Sequence, residues 1–211
     1  MGGPIEWTSM NVFRAEIELN YFGLIHVAKA FLPLLRTFAG RAKVRTRFIV
    51  VTSTIAVMPS FPGLSGYAAA KSAADTFTNT LRLEVKPFDI DVITVCPGIT
   101  RTPFLNHGVE QMRRAWKDAP DEIKEAYGEE YALWWANTMQ LGINWLAHDP
   151  SDAVECLLDA TTSAWPKTRY FCGLDARVIA RPIVNSPDFI WDGLLGTLLF
   201  LGGQPKVKSR L

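Results

Sequence analysis

Two β-branched runs constrain this chain most: Phe48-Ile49-Val50-Val51, and the stretch 90–96, which reads Ile-Asp-Val-Ile-Thr-Val-Cys. The first has no polar alternation. It therefore predicts a central strand of a parallel sheet, covered on both faces. Between the two runs, residues 65–86 repeat apolar side chains at helical spacing through Ala73, Phe77, Leu81 and Val85. Strand, helix and strand joined by short loops form a crossover unit, so the two strands pair in parallel. Upstream, residues 8–35 predict one long helix through Ile17, Tyr21, Leu24, Ala28, Phe31 and Leu32, followed by a basic connector at 41–47. Helix, strand, helix, strand in that order belongs to a layered α/β fold.

The length, 211 residues, suits one α/β domain or one domain with an appendage. Twenty-two basic against 21 acidic residues leave a net charge of +1, so nothing favours a nucleic-acid partner. Cys96, Cys156 and Cys172 show no CxxC spacing and the three histidines are scattered, which argues against a disulfide framework and against a metal site. The amino terminus lacks the basic residues and apolar run of a signal peptide. The uncharged stretch 48–70 is broken by Pro59, Pro62, Gly63 and Gly66. The apolar stretch 193–205 falls short of the roughly 20 residues that a spanning helix needs.

After Gly98 the character changes. Residues 100–144 mix charged pairs with Trp116, Tyr127, Tyr131, Trp134 and Trp135, consistent with surface helices, and Asp149-Pro150-Ser151 opens another helix to about residue 161. A segment inserted after a parallel strand sits at the carboxyl edge of the sheet, where open α/β sheets bind ligands. The chain thus divides into 1–99, a catalytic part, 100–165, a helical substrate cap, and 166–211, a final segment with an apolar and basic tail.

Tyr67 and Lys71 stand four residues apart on one helix face. A free phenol has a pKa of about 10, and a neighbouring ammonium lowers it, which is one way to build a general acid/base. Such a pair alone is usually a solvated helix face. Thr54, thirteen residues before Tyr67 at the end of a strand, offers a hydroxyl to polarise a carbonyl or alcohol oxygen; Ser53 is the weaker candidate, because neighbours on an extended chain point to opposite sides.

Three stretches carry a resemblance: Ile49-Val50-Val51-Thr52-Ser53-Thr54-Ile55-Ala56, then Ser65-Gly66-Tyr67-Ala68-Ala69-Ala70-Lys71-Ser72, then Cys96-Pro97-Gly98-Ile99-Thr100-Arg101-Thr102. With Asn20 in Glu18-Leu19-Asn20-Tyr21, they resemble the short-chain dehydrogenase/reductase family in order and spacing. The resemblance implies a Rossmann-like, doubly wound parallel sheet and NAD or NADP as cofactor. It also implies Tyr67 as acid/base, with Lys71 lowering its pKa and binding the nicotinamide ribose. Asn20 would hold a relay water, and Thr54 occupies the family's usual serine position. Pro97, Gly98, Ile99 and Thr102 would meet the cofactor, together with Tyr67 and Lys71.

Trp116-Lys117-Asp118-Ala119-Pro120, Trp165-Pro166-Lys167-Thr168-Arg169-Tyr170 and Gly173-Leu174-Asp175-Ala176 resemble the branch that holds retinol, 17β-hydroxysteroid and 3-hydroxybutyrate dehydrogenases. That implies hydride transfer between the cofactor and a small lipophilic alcohol or ketone, a steroid or retinoid; seven Trp and twelve Phe supply apolar surface for it. No Gly-x-x-x-Gly-x-Gly turn occurs, so the fold is expected to be amino-terminally truncated relative to the family, with the first strands before Met1. The competing expectation is a noncatalytic member acting as an interaction surface. Further expectations are a homo-oligomer and peripheral membrane attachment through residues 189–201 and Lys206, Lys208 and Arg210, at the endoplasmic reticulum; a cytoplasmic location is the alternative.

Overall fold

The computed structural model describes residues 2–39, 45–58 and 61–202. Helix runs from Met10 to Ala39, as α1 (Met10–Ile17), a wider π turn (Glu18–Phe22) and α2 (Gly23–Ala39). It extends past the expected residue 35 despite Pro33, whose carbonyl oxygen accepts a hydrogen bond from Thr37 Oγ1 at 3.0 Å. Strand β1 (Thr46–Val51) and β2 (Ile90–Pro97) flank α3 (Ser65–Glu84), and pair in parallel with Phe48 opposite Val92 and Val50 opposite Thr94. β1 takes in two residues of the expected basic connector. Arg47 is tolerated there because its guanidinium leaves the strand to donate to carbonyl oxygens of Ala160, Thr161 and Ser163.

A third parallel strand, β3 (Arg169–Cys172), pairs with β2 and gives the order β1-β2-β3. Side chains alternate along each strand, so the sheet presents two apolar faces. Phe48, Val50, Ile90 and Val92 pack with Ala28 of α2 and with Leu81 and Val85 at the end of α3. Ile93, Val95, Tyr170 and Cys172 pack on the other side with Cys156 and Ala160 of α7 (Ser151–Thr162). Helices on both faces of a parallel sheet make the doubly wound architecture. α7 therefore belongs to a covering layer of the sheet, although the sequence reading placed it inside the cap.

An ion pair fixes α3 against the sheet. Arg169 donates to Asp75 Oδ1 at 2.7 Å and Oδ2 at 2.9 Å, and to Asn79 Oδ1 at 3.3 Å. The fork geometry of the guanidinium suits both carboxylate oxygens at once.

Between β2 and α7 lie α4 (Pro103–Asp118), α5 (Asp121–Tyr127) and α6 (Glu129–Leu146). They form their own core of Val109, Met112, Ala119, Ala132, Trp135 and Ala136, and Trp7 from the amino-terminal segment completes it. Trp7 stacks its edge among rings, with Trp116 at 4.7 Å, Tyr127 at 5.5 Å and Tyr131 at 6.3 Å between centroids. Much of the aromatic complement thus packs against itself rather than presenting surface for a ligand. After β3 come a π turn (Asp175–Ala180), α8 (Arg181–Val184) and α9 (Asp188–Gly202). Trp191 of α9 is buried against Phe61 at 5.8 Å, whereas Phe189 and Leu194 are exposed. The basic residues expected to follow this helix lie outside the described residues.

Candidate active site

The site forms where β1 ends and α3 begins. Past Val51 the chain stays extended through Ser53, at φ −168° and ψ 159°, then turns into a 3-10 helix (Thr54–Ala56). Ser72 Oγ donates to Ala56 O at 2.9 Å, which ties that turn to α3. Tyr67 lies in the first turn of α3, with the Ser53 side chain near enough to its phenol to favour the ionised form. The sequence reading preferred Thr54, and here the geometry differs. Strand alternation stops once the backbone turns helical, so Ser53 faces the phenol while Thr54 opens the turn and is buried.

Lys71 follows one helical turn after Tyr67. Its Nζ lies 3.4 Å from Val51 O and 5.8 Å from the centroid of the Tyr67 ring. Burial pushes the Tyr67 phenol up to about 12; the Ser53 side chain pulls it down and the Glu16 carboxylate pushes it up. Burial also lowers the Lys71 pKa, against an opposing pull from Glu16. The expected lowering of the tyrosine by Lys71 is not what sets this phenol: desolvation dominates, and the phenol is neutral at physiological pH.

Asn20 sits in the π turn, a widening of helical backbone that recurs at functional sites. Its Nδ2 donates to Glu16 O at 3.1 Å and Glu16 Oε2 at 3.0 Å. The helix carrying it approaches α3 closely because Gly66 has no side chain: a Cβ there would lie 2.9 Å from Phe13 Cδ1. Glu16 is thus a carboxylate that touches Asn20 and acts electrostatically on both Tyr67 and Lys71. Sequence reasoning passed over it. Its signal was a charged residue one turn before Asn20 on a largely apolar helix.

Pro97 ends β2, Gly98 N donates to Cys172 O at 2.9 Å, and Ile99 N donates to Asp175 Oδ2 at 2.7 Å. Thr102 precedes α4, with Pro103 at the first helical position. Phe104 follows, its ring 5.7 Å from that of Tyr67. The segment after β1, the start of α3 and the start of α4 therefore meet around one phenol, and the end of β2 pairs alongside β1. Among the described residues no group of His, Cys, Asp and Glu is arranged to hold a metal ion.

The first 113 residues match the family model described as short chain dehydrogenase, and the chain belongs to that family. It is 31% identical over 195 residues to retinol dehydrogenase 7 of Rattus norvegicus, covering 92% of this chain and 59% of that protein. It is 31% identical over 192 residues to 17-beta-hydroxysteroid dehydrogenase type 6 of Homo sapiens, covering 90% and 58%. The chain spans under two thirds of the length of these relatives. Among solved structures, a short-chain dehydrogenase from Streptomyces avermitilis superposes with a TM-score of 0.64 at 26% identity, over 96% of this chain and 66% of that one. Two others share the fold: one from Burkholderia cenocepacia in complex with NADP (TM-score 0.62, 23% identity, 92% and 63% covered), and one from Burkholderia phymatum in complex with NAD (0.59, 17%, 100% and 66%).

Proposed function

We propose that this chain supplies the catalytic and substrate-facing part of an oxidoreductase that passes a hydride between NAD or NADP and a lipophilic alcohol or ketone, a steroid or retinoid. The observation that carries the reading is Lys71 Nζ set 5.8 Å from the Tyr67 ring centroid, one helical turn on, beside the carboxyl end of a parallel strand. Tyr67 holds its proton at neutral pH, so it donates to the oxygen of a ketone as that oxygen gains charge, and takes the proton back in the alcohol direction. Ser53 shares that oxygen with the phenol and steadies developing negative charge. Thr54, the residue preferred from the sequence, acts through the turn that aims Ser53.

The residues present fit the nicotinamide-ribose half of the cofactor. Lys71 offers an ammonium donor beside Tyr67; Pro97, Gly98, Ile99 and Thr102 form the end of β2 and the loop after it, and Asn20 with its Glu16 contact lies on the π turn packed against α3. The cofactor supplies the hydride. No Gly-x-x-x-Gly-x-Gly turn is present for the pyrophosphate, so binding by these 211 residues alone is expected to be weak.

The division into a catalytic part (1–99), a cap (100–165) and a final segment (166–211) is retained in this reading, with α7 reassigned to the sheet. Phe104 is the cap side chain that approaches Tyr67, which gives the substrate an apolar neighbour. The names of the retinol and hydroxysteroid relatives support a lipophilic substrate. The test is a panel of retinoid and steroid alcohols and ketones with both cofactors, followed by reduced-nicotinamide absorbance. Turnover confined to small polar alcohols would overturn the substrate class.

A second reading, an interaction surface, is favoured by one observation. Leu19, Phe22, Val27, Phe31, Leu34 and Phe38 are exposed along the helix Met10–Ala39. That surface suits self-association, and the exposed Phe189, Ile190 and Leu194 of α9 suit a membrane interface at the endoplasmic reticulum, against a cytoplasmic location. Light scattering and liposome flotation separate the two.

A further inference from the structure

The segment 97–102 is held from beneath by two side chains that come from distant parts of the sequence. Asp175, at the start of the π turn after β3, accepts the Ile99 N–H on Oδ2 at 2.7 Å. Its Oδ1 lies 3.2 Å from His148 Nε2, and His148 Nδ1 lies 3.1 Å from Asp152 Oδ2. The His148 backbone closes the same segment: its N–H donates to Ile99 O at 3.0 Å and its carbonyl oxygen accepts Arg101 N–H at 2.8 Å. His148 and Asp175 are both largely withdrawn from solvent.

Two glycines make room for this pair. A Cβ on Gly98 would stand 2.2 Å from either Asp175 carboxylate oxygen, and one on Gly173, whose φ is +97°, would stand 2.1 Å from His148 Nε2. Gly98 is thus required by a carboxylate within the protein. The Asp175 carboxylate gives one oxygen to a loop N–H, while the other lies beside the His148 imidazole outside hydrogen-bond geometry, so the histidine is seated by its backbone bonds to Ile99 and Arg101.

We propose that Asp175, braced by His148, is the positioning residue that sets the path of the cofactor-facing loop 97–102. The pair touches no reacting atom and acts through the Ile99 and His148 amides. The part that concerns cofactor rests on the oxidoreductase reading; the clasp itself does not.

The test is hydrogen exchange on the full 211-residue chain, with Asp175→Ala, Asp175→Asn and His148→Gln. Loss of a hydrogen bond to a charged acceptor should speed exchange at the Ile99 and His148 amides by about tenfold or more in Asp175→Ala, while β1 and α3 keep their protection. Asp175→Asn, which keeps an acceptor oxygen, should restore most of the protection at Ile99. Unchanged exchange over 98–102, or acceleration spread evenly through β1 and α3, would overturn the proposal. If Asp175→Ala does not fold, His148→Gln carries the same comparison at the two amides. With cofactor, KM for the dinucleotide should rise by about tenfold in Asp175→Ala with a smaller fall in kcat. An unchanged KM in a variant with a loosened loop would overturn the positioning role. Absence of turnover in the unsubstituted protein isolated from its source would count against the oxidoreductase reading alone, and the exchange comparison would still decide the clasp.

Discussion

Lys71 Nζ lies over the Tyr67 ring, 5.8 Å from its centroid, and contacts the Val51 carbonyl oxygen. Burial governs the phenol, pushing it from the ordinary 10.0 to about 12. The raised value means that the fold favours the neutral form. Stability tied to this group is complete below pH 10.0 and is lost as pH rises through about 12. An alkaline absorbance titration should therefore lose one late-ionising phenol in Tyr67→Phe. Loss of a phenol that ionises below its ordinary value would contradict the assignment.

Glu16 faces Asn20, Tyr67 and Lys71 together, and its charge holds both titrating groups in their protonated forms. Glu16→Gln should move the Lys71 and Tyr67 midpoints downward, read by lysine-labelled NMR and by the same absorbance titration. Upward movement of either would show that the carboxylate does not act on them as described.

Ser53 and Thr54 separate cleanly by substitution. Removing a hydroxyl aimed at a developing oxyanion costs on the order of 10²-fold in kcat, so Ser53→Ala should lose about that much. Thr54→Ser should stay near the unsubstituted rate. A larger loss from Thr54→Ala than from Ser53→Ala would return the hydroxyl role to Thr54.

The Asp75–Arg169 pair predicts a stability effect away from the chemistry. Asp75→Ala leaves a partly buried guanidinium without its carboxylate and should cost about 3 kcal/mol in urea unfolding. Replacing both partners with apolar residues of similar volume should cost less. Equal losses in the single and double variants would show that the unpaired guanidinium carries no penalty of its own.

The layered fold was legible because residues 48–51 and 90–96 are apolar, β-branched runs with a helical period between them; β2 is the central strand, whereas β1, expected to be central, is an edge of the described sheet with Val51 exposed. β3 was not legible: it has four residues, begins with Arg169, and exists because β2 offers an edge and Asp75 a counter-charge. Tyr67 and Lys71 were singled out by their spacing and Asn20 by the family resemblance, and all three lie on one pair of packed helices. The preference for Thr54 over Ser53 failed to anticipate the 3-10 turn, since alternation holds only while the chain is extended. The cap aromatics read as substrate surface, but Trp135 is a core residue, joined there by Trp7 from the amino-terminal segment. His148 and Asp175 meet only through tertiary structure, so no local pattern announced them.

The central claim is that hydride moves to a lipophilic carbonyl with Tyr67 as its proton donor. Reduced cofactor carrying deuterium at the transferring position, supplied with a steroid ketone or retinal, tests this by mass spectrometry of the product. The assay uses both the 211-residue chain and the protein isolated from its source. The account predicts one deuterium on the product carbinol carbon, formed about 10²-fold or more slowly by Tyr67→Phe. Product without label from either protein, or undiminished labelling by a folded Tyr67→Phe, would contradict it.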